Sequence, residues 1–67
     1  MGELKTALKV LRVKNNLTQK EMADKLEISL TTYSFIENGK SKGKVEFWQK
    51  VKEEFQVTAE DLLNMMN

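Results

Sequence analysis

Apolar residues recur at helical spacing in five segments along the chain. In the first, Leu4, Ala7, Leu8 and Leu11 follow an i, i+3, i+4, i+7 pattern, and Lys14-Asn15-Asn16 breaks it, Asn being a frequent helix terminator. The second opens on Thr18-Gln19-Lys20-Glu21, a capping box in which the Thr18 hydroxyl accepts from the Glu21 amide and Glu21 reaches back. Leu17 and Met22 occupy the hydrophobic-staple positions, and Met22, Ala23 and Leu26 continue the inward face. Ser29 is the next N-cap candidate.

Only Glu27 and Ile28 separate Leu26 from Ser29, so the second and third helices are joined by about three or four residues, the length of a helix-turn-helix turn. At roughly 100° per residue, Thr32, Tyr33 and Ile36 share one side of the third helix and are expected in the core, while Leu30, Thr31, Ser34, Phe35 and Asn38 face out. Asn38-Gly39 ends that helix, with Gly39 suited to a left-handed cap. Lys40-Ser41-Lys42-Gly43-Lys44 is a polar, basic loop. Val45, Trp48, Val51 and Phe55 form the apolar stripe of a fourth helix over residues 44–55. Thr58 caps a fifth over 58–66, with Asp61 at the box position and Ala59, Leu62, Leu63 and Met66 along one face. No strand pattern or internal repeat is present, and the fold class is all-α, one domain over residues 1–67 with the helix-turn-helix at about 18–37.

Composition narrows the chemistry. The 67 residues include no Cys and no His, which removes disulfides, thiolate metal sites, cysteine nucleophiles and the commonest general base. Pro is absent and only 3 residues are Gly, as suits helices joined by short turns. No apolar run reaches the roughly 20 residues that span a bilayer, and Met1-Gly2-Glu3-Leu4 lacks the basic-then-apolar order of a secretory signal. A cytoplasmic protein of bacterial or phage origin, without membrane contact, is expected. Net charge is only +1, but it is divided: residues 1–44 carry +4 and residues 45–67 carry −3. A basic end beside an acidic end fits a nucleic-acid partner, although scattered solvated charge would look similar.

Two apparent catalytic signals fail on geometry. Gly39-Lys40-Ser41-Lys42-Gly43-Lys44 has three residues between its glycines where a phosphate-binding loop has four, Val45 stands where Ser or Thr is required, and a helix precedes it. Glu53-Glu54 and Glu60-Asp61 are adjacent on helices and point different ways. No nucleophile, base and metal site assemble, so no enzyme, cofactor or metal is expected.

Leu17-Thr18-Gln19-Lys20-Glu21-Met22-Ala23-Asp24-Lys25-Leu26, then Ile28-Ser29, then Tyr33-Ser34-Phe35-Ile36-Glu37-Asn38-Gly39-Lys40, resembles the helix-turn-helix stretch of phage-repressor and Cro-type proteins. The later apolar positions Val45, Trp48, Val51, Phe55, Val57 and Leu62-Leu63 match that family's fourth and fifth helices, so the resemblance runs over about residues 5–64. It implies a compact five-helix, lambda-repressor-like domain that binds operator DNA as a transcriptional regulator, and a repressor is expected. It also implies roles. Gln19 matches a phosphate-contacting residue, Ser29 the start of the recognition helix, and Leu30, Thr31 and Phe35 the positions that meet base edges, with Ser34 beside them on the outward face. Asn38 and Lys40 match backbone-contacting positions, and Arg12 matches an arginine that pairs with the glutamate at Glu37.

Elementary physics points the same way. Helix N-termini at Gln19 and Ser29 suit phosphates, an exposed helix fits the major groove, and Lys40, Lys42 and Lys44 can neutralise phosphates whatever the sequence. Two departures from the family pattern stand out. The outward positions are Leu30, Thr31 and Phe35 where Gln, Arg, Lys or Ser are usual, so a thymine-rich half-site, read with help from DNA shape, is expected. Glu27 stands where Gly is usual in the turn, and a left-handed Glu costs roughly 1 kcal/mol, so a slightly altered turn is expected. Leu63, Met65 and Met66 near an exposed Phe47 would leave an apolar surplus suited to a homodimer on an inverted-repeat site. The alternative is a protein-interaction module on the same fold, of antitoxin or anti-repressor type, using the Leu30 and Phe35 face. No small-molecule effector is indicated.

Overall fold

A computed structural model describes residues 4–65. It contains five helices: α1 Leu4–Lys14, α2 Gln19–Lys25, α3 Leu30–Glu37, α4 Val45–Phe55 and α5 Ala59–Met65. The described residues include no strand. Met66, expected on the last apolar face, and the Met1–Glu3 stretch lie outside the described residues, as does the side chain of Leu4.

The apolar stripes converge on one core of Leu8, Leu11, Met22, Ala23, Leu26, Tyr33, Ile36 and Val51, with Leu17, Ile28, Phe47, Trp48, Phe55, Val57 and Met65 packed against it. Burial of such side chains supplies most of the folding free energy of a domain this small. The capping boxes form as the sequence predicts. Thr18 Oγ1 accepts from the Glu21 amide at 3.1 Å and Glu21 Oε1 accepts from the Thr18 amide at 2.9 Å. Thr58 and Asp61 repeat the arrangement at 3.0 and 2.9 Å.

Four expected placements change. Thr32 is exposed, because the buried face of α3 is Tyr33, Ile36 and Glu37, one residue further along than Thr32, Tyr33 and Ile36. The face shifts because Glu37 is drawn inward by Arg12. Phe47 is half-buried, its ring set edge-on to Trp48 with centroids 5.0 Å apart. Val45, at the very start of α4, is 70% exposed. On α5, Leu62 is buried while Ala59 and Leu63 are exposed, so its inward side is narrower than the sequence pattern suggests. Met65 packs on the core as well, which leaves Leu63 and Val45 as the large exposed apolar residues of this end among the described residues.

The helices stop by one device, a left-handed residue followed by a chain reversal. Asn16, Glu27, Gly39 and Gln56 have φ of 57°, 59°, 82° and 54°. In each case the next residue's amide donates back into the last turn: Leu17 to the Arg12 carbonyl, Ile28 to Ala23, Lys40 to Phe35 and Val57 to Lys52. The altered turn expected at Glu27 does not occur. Glu27 takes the backbone conformation glycine would take, and its carboxylate meets Lys50 of α4 at 3.2 Å. Gln56 has the same strain with no ion pair attached to it. Gln56→Gly should therefore raise stability by about 0.5 kcal/mol, net of the extra freedom glycine brings to the unfolded chain. A rise in the urea midpoint at unchanged m value checks this.

Candidate nucleic-acid interface

The two central helices are joined by Leu26, Glu27, Ile28 and Ser29. Ile28 donates to the Ala23 carbonyl at 3.0 Å and Glu27 to Asp24 at 3.1 Å, which closes α2. Ser29 then opens α3: its Oγ accepts from the Thr32 amide at 3.1 Å and donates to Thr32 Oγ1 at 2.9 Å. The angle of α3 is thus held at its start by an N-cap and at its base by Tyr33 and Ile36 in the core.

At the other end of α3 a polar network ties three helices together. Arg12 on α1 donates from Nε to Glu37 Oε2 and from Nη2 to Oε1, both at 3.0 Å, a two-pronged pairing. Its Nη1 donates to the Leu17 carbonyl at 2.9 Å. Tyr33 donates its hydroxyl to Glu37 Oε2 in a short hydrogen bond. Gln19 Nε2 donates to Oε1 at 3.2 Å. No buried side-chain polar atom among the described residues lacks a partner.

Burial pushes the Glu37 carboxyl up, but the hydrogen bonds from Arg12, Tyr33 and Gln19 outweigh it and hold the group below its ordinary value. The bond to Glu37 raises the Arg12 guanidinium. Burial, then the bond to Glu37, raises the Tyr33 phenol.

A lowered carboxyl contributes stability in full above its unfolded value and loses it as the folded form takes up a proton. Stability should therefore fall as pH drops below the ordinary glutamate value of 4.5. A raised phenol has the opposite sign, so stability should also fall above the ordinary tyrosine value of 10.0. Melting temperature measured across both limits checks the pair, and Tyr33→Phe should flatten the alkaline limb and, by removing one donor to Glu37, soften the acid limb too.

Above this network stands the outward face of α3. Leu30 is 46% and Phe35 47% exposed, Thr31 is exposed and Ser34 half-buried. Asn38 donates from Nδ2 to Ser34 Oγ at 3.2 Å. Phe35 neither folds back into the core nor stands alone: Lys40 Nζ lies 5.7 Å from its ring centroid, a cation–π contact. Lys40, Lys42 and Lys44 are all exposed in the following loop. That loop is anchored where Trp48 Nε1 donates to the Lys42 carbonyl at 2.9 Å. Gly43 lies against Phe47 and Trp48, where a Cβ would come within 3.1 Å of both rings.

Of the sequence-predicted residues, Ser29, Leu30, Thr31, Ser34, Phe35, Asn38 and Lys40 gather along α3 and its end, with Lys42 and Lys44 continuing from it. Gln19 differs: it is half-buried and its amide is turned to Glu37. Lys5 was not expected here. Its side chain lies along Gly39, Nζ being 3.1 Å from where a Cβ would stand, which brings a first-helix cation beside the basic loop. Nothing in the spacing of α1 signals this, because it depends on how α1 crosses the end of α3. The Glu27–Lys50 pair was likewise invisible in the sequence.

Among the described residues no group of acidic side chains could hold a metal ion, and no helix is long and apolar enough to cross a membrane. No curated protein and no solved structure matches the chain. A family model described as helix-turn-helix matches residues 8–62, from α1 through most of α5 and across the whole interface just described. The chain belongs to this helix-turn-helix family, of the phage-repressor and Cro type, whose members are DNA-binding regulators.

Proposed function

We propose that the chain is a sequence-specific binder of double-stranded DNA and acts as a Cro- or repressor-like regulator at an inverted-repeat operator. The carrying observation is the outward face of α3, continuous with three exposed lysines in an anchored loop. In this reading α3 lies in the major groove with Leu30, Thr31 and Phe35 toward the base edges, and Ser34 beside them. Ser29 at its N-terminus, Asn38 and the loop lysines Lys40, Lys42 and Lys44 meet phosphates, which set position, while the helix face selects sequence. Gln19 reaches a phosphate only by sharing or releasing Glu37. Arg12 and Glu37 serve as the structural pair that fixes the base of α3.

A homodimer would place two such helices about one DNA turn apart. Its support is narrower than the sequence suggested: Leu63, 57% exposed, and Val45 flank an apolar groove of about 510 Å³ between α4 and α5, floored by Trp48 and Leu62. No cofactor or effector enters the proposal, and the site of action is the bacterial or phage-infected cytoplasm.

The test is selection of bound sites from a random duplex pool. Enrichment of an inverted repeat supports the reading, and the spacing of its halves reports the dimer. Absence of any enriched sequence, with negligible duplex binding at low salt, overturns it. Sedimentation as a monomer at high micromolar concentration, with and without DNA, would remove the dimer alone. A second reading is favoured by one observation, the exposed apolar pair Leu30 and Phe35: a protein partner seated on that face. Loss of duplex binding in Phe35→Ala would argue against it.

A further inference from the structure

In the major groove each base pair presents hydrogen-bonding groups, and thymine adds a C5 methyl. Leu30, Thr31 and Phe35 carry no amide, guanidinium or carboxylate. The two-bond contacts that identify guanine or adenine are therefore unavailable to them. Thr31 offers a single hydroxyl, and Asn38, at the end of the helix, donates to Ser34 Oγ and is assigned above to the DNA backbone.

The ring also has a cationic neighbour. The Phe35 carbonyl accepts from the Lys40 amide at 2.8 Å and the Ser41 amide at 3.1 Å, which turns the chain back so that Lys40 Nζ lies 5.7 Å from the ring centroid. An exposed apolar surface thus stands beside a cation able to sit on a phosphate. That is the arrangement a pyrimidine C5 substituent would meet from the groove.

We infer that α3 reads the pyrimidine C5 methyl group and not the hydrogen-bonding edge of the base, with Phe35 as the specificity-determining residue. This rests on the operator-binding reading above. It has a regulatory corollary. 5-Methylcytosine presents the same methyl group at the same place, so methylation of a cytosine in the half-site makes it an acceptable substitute for thymine, and binding responds to the methylation state of the DNA. Burying one methyl group corresponds to about a four-fold change in affinity, or about 15-fold when both half-sites lose one.

The experiment uses the full chain and the duplex that wins the random selection. Thymines facing Phe35 are replaced by deoxyuridine, which removes the methyl and leaves every hydrogen-bonding group unchanged. In a second series each such T·A pair is replaced by a C·G pair or a 5-methylcytosine·G pair. Expected are an affinity loss of about 15-fold for the uracil duplex and tighter binding of the 5-methylcytosine duplex than of its cytosine twin. In Phe35→Ala, whose melting curve should match the parent because the ring is outside the core, the thymine-to-uracil ratio should fall to near one. Equal binding of thymine and uracil duplexes overturns the inference while leaving operator binding intact. So does a 5-methylcytosine duplex no better than cytosine, or a Phe35→Ala protein that keeps the full ratio. Absence of any duplex binding overturns the inference and the operator reading together.

Discussion

Replacing Arg12 by methionine should remove about 3 kcal/mol or more of folding stability, the cost of leaving a buried charge without its partner. Glu37 is 4% exposed in its side chain and Arg12 16% exposed, so water cannot take over the missing bonds. The carboxylate would keep only Tyr33 and Gln19, and the Leu17 carbonyl would lose its donor. A chain of this length has about 3–10 kcal/mol in total, so the loss is about a third of it or more. A fall in melting temperature on the order of 15 °C is expected. The cost lies in the orphaned partner and not in the absence of an ion pair as such. Arg12→Met/Glu37→Met/Tyr33→Phe, which removes both charges and the phenol and leaves only the half-buried Gln19 amide and Leu17 carbonyl to water, should recover most of the loss. Circular dichroism melts of the two variants check both halves. A single variant melting within a few degrees of the parent would show that the network contributes little.

The second large effect concerns phosphates. Lys40→Gln/Lys42→Gln/Lys44→Gln should weaken duplex binding by about 100-fold or more near 0.1 M salt, and reduce the slope of log affinity against log salt by about 0.9 for each lost phosphate contact. The preferred sequence should stay the same, because phosphate contacts position the protein without reading bases. Phe35→Ala should do the reverse, altering preference while leaving the salt slope in place. Fluorescence anisotropy over a salt series, on the selected site and a scrambled one, separates the two. An unchanged slope in the triple variant would mean that the loop does not touch DNA. The variant should fold, since the loop is held by the Lys42 carbonyl and Gly43, not by lysine head groups.

The order of helices, their caps and most of the core were legible in the sequence because each rests on local spacing. Thr18 with Glu21 and Thr58 with Asp61 are three residues apart, and the chain alone decides whether such a box can close. What was not legible depends on distant partners. The inward turn of Glu37, and with it the exposure of Thr32, follows from Arg12, 25 residues away. Spacing gives no sign of this pair; the family resemblance implies it, but not that it leaves Thr32 exposed. Phe47 reads as surplus on the pattern of α4 but is covered by Trp48 and by the close approach of Gly43. At Glu27 the strain of a left-handed residue is outweighed by the closed chain reversal and the contact with Lys50. Of the interface residues, those on α3 and its following loop fall where the sequence places them. Gln19 is the exception, because its amide donates to Glu37, a contact that neither the spacing nor the resemblance implies.

Leu30, Thr31 and Phe35 take no part in the core, and the network that holds α3 in place draws on Tyr33 and Glu37 from the opposite side. On the operator-binding proposal, scaffold and reading surface are therefore written on separate letters of the same helix. Mutational drift at the three outward positions can carry such a protein to a new DNA target without passing through an unstable ancestor. The same separation makes the domain a ready chassis onto which another recognition face could be transplanted.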